Sequence, residues 1–213
     1  MAFDYCIIRS KRKTLSISVS VDNKITVRCP YTMQNSDIET FINSKSQWVL
    51  KVLAENNLKR ADNESILNFR EILIGGQKFP LVFGERNKID GGTVYVKNVS
   101  SIKKILVKYF AGELKSFAEQ ISTQVKLQAT DFSIRSYKSR WGCCDKKGVI
   151  TFNCLLIMLP RYLQRYVIIH ELCHTVHFNH SQKFWSLVAK FEPEYKFCRK
   201  NLKSFNYLTK LYQ

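Results

Sequence analysis

The first third of the chain alternates between patterns that are typical of strands and of helices. In residues 14–21, TLSISVSV, Leu15, Ile17, Val19 and Val21 alternate with serines, which predicts a half-buried β-strand. The sequences DNK and ITVRC follow, so we expect a turn and a return strand that complete a β-hairpin. From Ser36, the apolar positions of residues 36–60 recur at helical spacing behind a polar cap, which predicts an amphipathic helix.

A second β-rich section precedes a long helix. The segment EILIGGQKFPLVFGE, with its turn at Gly75 and Gly76, and the segment GGTVYVKN predict further strands. Near Ser100 the apolar residues begin to recur at helical spacing. We therefore divide the chain into a β-rich amino-terminal region with one amphipathic helix, residues 1–98, and a second region, residues 99–213. The fold class predicted by these patterns is α+β.

The second region combines a small β-structure with helices. Residues 131–159 predict two strands joined by a turn at residues 145–148. Three helices should follow: one from residue 160 to about 178, one from 181 to about 191, and one from Pro193 onward.

The histidines of the chain are confined to one short segment. All four lie in residues 170–180, HELCHTVHFNH. In a helix, residues four apart project from the same face about one turn apart, so His170 and His174 can bind one Zn²⁺. Glu171 lies too far round the helix to join them as a ligand, but it can reach a metal-activated water as a general base. This HExxH arrangement predicts a zinc-dependent hydrolase.

The third zinc ligand has to follow a bend, because three successive turns of a straight helix cannot converge on one ion. We expect His180, with Asn179 left-handed at the helix end and Ser181 capping the next helix. The alternatives for this ligand are Glu192 and Glu194. The role of His177 stays open between support of a ligand, stabilisation of an oxyanion and a surface position.

Charge and cysteine content add a possible partner and a compartment. The formal net charge of +17 would attract polyanions such as nucleic acid, although the basic residues are spread along the chain and also suit a solvated surface. The seven cysteines show no spacing of a disulfide framework, so we expect reduced thiols in the cytoplasm. No apolar run has the length of a membrane span, and we expect no membrane partner.

Several motifs resemble the YgjP-like zinc metallopeptidases and, more distantly, the SprT-like and WLM proteases. They are SRWGCC at 139–144, GVITFNCLLIMLP at 148–160, YVIIHELCH at 166–174 and NHSQKFW at 179–185, and similar segments occur in the amino-terminal region. The resemblance implies a zincin-like catalytic domain over residues 99–213, with a small sheet beside the HExxH helix. It also implies that the strand GVITFN pairs with an extended peptide.

The same resemblance assigns roles to four residues. It places the zinc ligands at His170, His174 and His180 and the catalytic glutamate at Glu171. Cys143 stands where the family usually has serine. The cofactor that this implies is one Zn²⁺ per chain, and the partner is a peptide or protein substrate.

The function that we expect is therefore hydrolysis of peptide bonds by a metal-activated water, with Glu171 as general base. Tyr166, His177 and Tyr195 are candidates for a donor to the oxyanion. Two other functions stay open: a metal-dependent nucleotide phosphohydrolase, and a nucleic-acid-binding module in which zinc is structural. The oligomeric state is not predicted.

Overall fold

The computed structural model describes residues 3–20 and 23–212. The chain forms two compact units, Met1–Leu67 and Asn68–Gln213. Val21 and Asp22, which belong to the predicted first hairpin, lie outside the described residues.

The amino-terminal unit joins a small sheet to a long helix. Its elements are β1 (Cys6–Ser10), β2 (Ser16–Val19), β3 (Ile25–Pro30), α1 (Asn35–Asp62) and α2 (Glu64–Leu67). Strands β2 and β3 pair antiparallel, as the alternating pattern predicts, and β1 adds to the other edge of β3 in parallel. The core between sheet and helix contains Val27, Cys29, Ile38 and Ile42, all fully buried.

The basic segment at residues 9–13 has a structural role in this unit. The Arg9 guanidinium donates hydrogen bonds to the carbonyls of Tyr31 and Met33, at 3.1 and 2.7 Å, and to the Asn35 side chain at 2.7 Å. Arg9 therefore holds the turn between β3 and α1.

The second unit begins with a four-stranded sheet in the order β4-β5-β7-β6. Its strands are β4 (Glu71–Ile74), β5 (Gln77–Phe83), β6 (Lys88–Asp90) and β7 (Thr93–Val96). The turn between β4 and β5 donates the Gly75 and Gly76 backbone N–H groups, at 2.9 Å, to the carbonyls of Ile157 and Met158. At Gly76 a Cβ would lie 2.6 Å from Pro160 Cγ. These hydrogen bonds join the four-stranded sheet to residues 157 and 158 of the same unit. The boundary between the units therefore lies between residues 67 and 68, whereas the sequence pattern suggested residue 98.

A second sheet and a long helix form the centre of this unit. The elements are α3 (Ser101–Val125), β8 (Asp131–Arg135), β9 (Gly142–Cys144), β10 (Val149–Asn153) and a 3₁₀ helix (Cys154–Met158). The sheet order is β8-β10-β9, one strand more than the sequence predicted. Strand β10, the GVITFN segment, pairs on both sides. It therefore has no edge for a peptide, and the outer edge of the hairpin belongs to β9.

Four helices complete the unit: α4 (Arg161–Cys173), α5 (Gln182–Phe191), α6 (Tyr195–Ser204) and α7 (Asn206–Leu211). Helix α4 packs against α3, α5, α6 and β9, so a small sheet lies beside the helix that carries the histidines. The fold class is α+β, as predicted. Helix α4 ends about five residues before the predicted end near residue 178. Within the described ranges, none of the helices has both the length and the apolar character that crossing a membrane requires.

Asn153 connects β10 to the loop that precedes β9. Its buried amide donates to the carbonyls of Tyr137 and Arg140, at 2.9 and 2.8 Å, and its Oδ1 accepts the Leu155 N–H at 3.2 Å. A shorter side chain would leave these groups without partners. Asn153 therefore fixes the path of the chain into β9.

Replacing Asn153 with Ala is expected to lower the free energy of unfolding by roughly 2 to 4 kcal/mol, because it removes three hydrogen bonds around a buried amide. Urea unfolding monitored by circular dichroism measures the change. Gln128→Ala, at an exposed amide in the same unit, is the control and should change stability little. Equal stability of the two variants would show that Asn153 does not hold this loop.

Candidate metal centre and active site

Helix α4 carries two histidines and a glutamate to the surface of the packed core. The helix ends at Cys173, and His174 continues as a capping residue with right-handed dihedral angles, φ −70° and ψ −17°. His170 and His174 therefore keep the predicted one-turn spacing, and their ring centroids lie 5.0 Å apart. Glu171 is buried between the helix and the sheet.

The chain then bends and returns His180 to the same place. His180 Nε2 lies 3.1 Å from His170 Nε2, and the rings of His180 and His174 are 4.8 Å apart. The bend does not use a left-handed Asn179, since no positive φ occurs there. Instead, Asn179 Oδ1 accepts the Ser181 N–H at 3.2 Å, and Ser181 occupies the N-cap position of α5 without a side-chain hydrogen bond.

The donor atoms of His170, His174 and His180 fit a single metal ion. All three nitrogen atoms lie within 4.8 Å of one another. Nitrogen ligands around a tetrahedral zinc would lie about 3.3 Å apart at bond lengths near 2.0–2.1 Å, so only small movements are needed. The predicted alternative, Glu192, pairs instead with Arg165 at 3.4 Å. Within residues 3–20 and 23–212, Glu194 is not part of a potential metal-binding group either.

His177 supports this cluster through its backbone. Its carbonyl oxygen lies 2.9 Å from His174 Nδ1. A carbonyl can only accept, so Nδ1 carries the proton and Nε2 of His174 presents its lone pair. The imidazole of His177 lines a separate surface cavity beside Lys183 and Lys190. The sequence left the role of His177 open. Its contribution comes from a backbone carbonyl, which every residue has, so the pattern of side chains could not reveal it.

Two aromatic residues of α5 position the imidazoles. Phe184 is fully buried, and its ring centroid lies 5.0, 4.4 and 4.8 Å from those of His170, His174 and His180, respectively. Trp185 stacks on His180 at 5.5 Å. The sequence pattern did not reveal these ring contacts, because they depend on how sharply the chain bends before α5.

Desolvation lowers the pKa of two of the three imidazoles. Desolvation, followed by repulsion from His174, His180 and Arg199, lowers the pKa of His170 to about 3. The pKa of His180 is also lowered, first by desolvation and then by His174 and Arg199. Metal ions bind the neutral imidazole, so these shifts favour the ligating form at neutral pH.

Glu171 lies in a tight apolar environment made by β9. A Cβ at position 142 would lie 2.9 Å from Glu171 Cγ and 3.0 Å from its Oε1, so glycine is needed there. Trp141 is buried next to it, and its Nε1 donates to Asn206 Oδ1 at 3.0 Å. Desolvation raises the pKa of Glu171 to about 8, and the Arg140 charge opposes this shift. The sequence showed the Trp-Gly pair, but not that its glycine packs against the glutamate.

A cavity of about 510 Å³ opens over this cluster. Its walls include Gly142, Tyr166, His170, Glu171, His180 and Trp185. The size is within the range of small-ligand sites. Of the three expected donors to an oxyanion, Tyr166 lines the cavity, whereas Tyr195 stacks on Trp185 at 5.4 Å and the His177 ring lies in the other cavity. Cys173 is fully buried in the core, and desolvation raises its pKa to about 12, so it offers no thiolate.

The buried carboxyl of Glu171 should make the stability of the metal-free protein depend on pH. The folded protein holds this proton up to about pH 8, whereas the unfolded chain releases it near pH 4.5, so its stabilising contribution is lost as the pH rises between these values. Glu171→Gln removes this dependence. The stability of the variant relative to wild type should therefore rise by at most about 1.4 kcal/mol per pH unit.

Denaturant unfolding in the presence of a chelator measures this difference across the same pH window. The opposite contribution of His170, which is lost as the pH falls, is common to both proteins and cancels. A stability difference that stays constant with pH would contradict the buried, protonated state of Glu171.

Comparison with known proteins identifies the family of the chain. The chain matches the sequence model of the YgjP-like metallopeptidase domain over residues 13–205. No curated protein matches it. One similar solved structure is that of the metallopeptidase zymogen abylysin of Pyrococcus abyssi, at 26% identity over 42% of this chain and 90% of that chain, with a TM-score of 0.39. With the family match covering both units, the chain belongs to the YgjP-like family of metallopeptidases.

Proposed function

We propose that this metallopeptidase hydrolyses peptide bonds with one Zn²⁺ bound by His170, His174 and His180 and with Glu171 as general base. The observation that carries the proposal is the convergence of three imidazole nitrogens within 4.8 Å, beside a buried carboxyl in the same cavity. Three neutral imidazoles are a frequent donor set of catalytic zinc, and they leave a coordination position open.

A bound Zn²⁺ and the side chains around it would have separate roles in the reaction. A bound Zn²⁺ supplies Lewis acidity, which lowers the pKa of water towards about 7 and polarises a carbonyl. The Glu171 carboxylate takes the proton of the attacking water and delivers it to the leaving amine. The Arg140 charge opposes the raised pKa of Glu171, and the positive charge of a bound Zn²⁺ would lower this pKa further, so both favour the carboxylate that accepts the proton.

Tyr166 is the best candidate for a donor to the oxyanion. It lines the cavity, and its ring centroid lies 6.0 Å from that of His170. Desolvation raises its pKa to about 12, so the hydroxyl keeps its proton at neutral pH and can donate it in a hydrogen bond.

The substrate backbone would pair with β9. This strand bonds to β10 on one side, and within the described residues no strand occupies its other edge. Gly142 begins β9 and lies against Glu171, so a peptide paired with β9 would pass the general base. The sequence-based expectation placed this pairing on β10, whose two edges are occupied.

Glu171→Gln is expected to keep the bound zinc and to lower turnover by roughly 10²- to 10⁴-fold, because the amide cannot accept the proton of the attacking water. Metal analysis after gel filtration measures the zinc, and hydrolysis of casein or of a fluorogenic peptide measures the turnover. The matched control is Glu194→Gln, at an exposed glutamate ahead of α6. Full activity of Glu171→Gln, or loss of activity in the Glu194 variant, would show that the general base is assigned wrongly.

Replacing His180 with Ala is expected to weaken zinc binding by more than about 100-fold, since it removes one of three proposed ligands. His177→Ala should change the affinity little, because the His177 group that bonds His174 is a backbone carbonyl, which alanine retains. Competition titrations with a zinc-binding dye measure both affinities. The reverse order would exchange the roles of these two histidines.

A further inference from the structure

The walls of the active-site cavity carry more positive than negative charge. Arg140, Arg199 and Lys203 line the cavity, and Glu171 is the only acidic residue among the lining residues. Within residues 3–20 and 23–212, none of these three cations forms an ion pair with a carboxylate. All three are exposed to solvent. Their charges are therefore available to a bound molecule.

Arg199 lies close to the histidine cluster. Its guanidinium carbon is 4.9 Å from the ring centroid of Trp185, and Trp185 stacks on His180 at 5.5 Å. A guanidinium over an indole ring is attracted to its face, which limits how far the side chain can move. Arg199 therefore presents its hydrogen-bond donors next to the proposed metal centre.

Lys203 and Arg140 add two further positive charges to the lining of the cavity. Lys203 follows Arg199 by four residues on α6, so the two project from the same face of the helix. Arg140 lies on a different chain segment, just before β9, where its carbonyl accepts a hydrogen bond from the Asn153 amide at 2.8 Å. Helix α6 and the segment before β9 are both held by the second unit, so the three charges are not carried by a free loop.

We propose that Arg199 and Lys203, together with Arg140, select substrates that carry a carboxylate close to the scissile bond. The carboxylate belongs to an Asp or Glu side chain or to the carboxyl terminus of the peptide. This proposal rests on the proposed peptidase function. The planar guanidinium of Arg199 can hold a carboxylate with two parallel hydrogen bonds, and Lys203 adds a point charge.

The structure favours a peptide over a nucleotide as the source of the negative charge. The free edge of β9 offers backbone hydrogen bonds to an extended chain, and Gly142 of this strand lines the same cavity. The family to which the chain belongs is one of peptidases. A nucleoside triphosphate remains an outcome that the experiment distinguishes.

The experiment uses the zinc-loaded full chain and a randomised library of short synthetic peptides. The library is prepared once with free carboxyl termini and once amidated, and mass spectrometry identifies the cleaved bonds. We expect Asp and Glu near the cleaved bond to be favoured over Asn and Gln by about tenfold, as suits a charge-assisted hydrogen bond. If the terminal carboxylate is the one that binds, cleavage should instead concentrate near the free terminus and fall by a similar factor in the amidated library.

Variants of α6 connect the preference to the proposed residues. Arg199→Gln and Lys203→Gln should each reduce the preference several-fold, and added salt should reduce it in wild type. The control is Lys200→Gln, at an exposed lysine of the same helix that does not line the cavity, and it should keep the preference. An unchanged preference in both cavity variants would overturn the proposal.

Binding without turnover separates this proposal from the proposed function. Fluorescence anisotropy measures how tightly labelled alanine-based peptides bind to the zinc-loaded Glu171→Gln variant. Three forms of the peptide are compared. The first has one central Glu and an amidated terminus, the second has Gln in its place and an amidated terminus, and the third has Gln and a free terminus. Tighter binding of either carboxylate form than of the amidated Gln form, without hydrolysis by wild type, would support carboxylate selection and contradict the peptidase mechanism. Hydrolysis by wild type, together with equal binding of all three forms, would support the peptidase mechanism and contradict carboxylate selection. Displacement by ATP that depends on Arg199, together with equal peptide binding, would assign the charges to a nucleotide.

Discussion

The structure of the site depends on a geometric constraint: three donor atoms have to reach one point, although an α-helix separates successive residues by about 1.5 Å along its axis. One turn of helix can supply two donors and no more. The chain meets the constraint by ending α4 at Cys173 and returning through residues 174–180. His180 then faces His170 at 3.1 Å, and the buried Phe184 packs against all three imidazoles.

Desolvation at the site has chemical consequences that follow from the same packing. The apolar surroundings keep His170 neutral and raise the pKa of Glu171 to about 8. Gly142 allows β9 to lie against the glutamate, because any side chain there would meet its carboxyl. Asn153 in turn holds the loop before β9. The sheet and the helix therefore position the acid-base group together, and Glu171 belongs to the packed core of the unit.

Sequence patterns predicted the local elements better than their connections. The β2-β3 hairpin, the glycine turn before β5, α3 and α5 follow from periodicity and turn residues, and the convergence of the histidines follows from the spacing of HExxH and the need for a bend. Three features could not be predicted because they depend on tertiary contacts. The unit boundary depends on backbone hydrogen bonds from Gly75 and Gly76. The central position of β10 depends on the order of the strands in the sheet. The contact of Gly142 with Glu171 depends on how β9 packs against α4.

X-ray absorption spectroscopy of the zinc-loaded protein tests the convergence of the three imidazoles most directly. We expect imidazole nitrogens from three histidines at about 2.0–2.1 Å, together with a light-atom ligand in the open position, and one imidazole fewer in the His180→Ala variant. A sulfur shell near 2.3 Å, or an unchanged number of imidazoles in that variant, would contradict it.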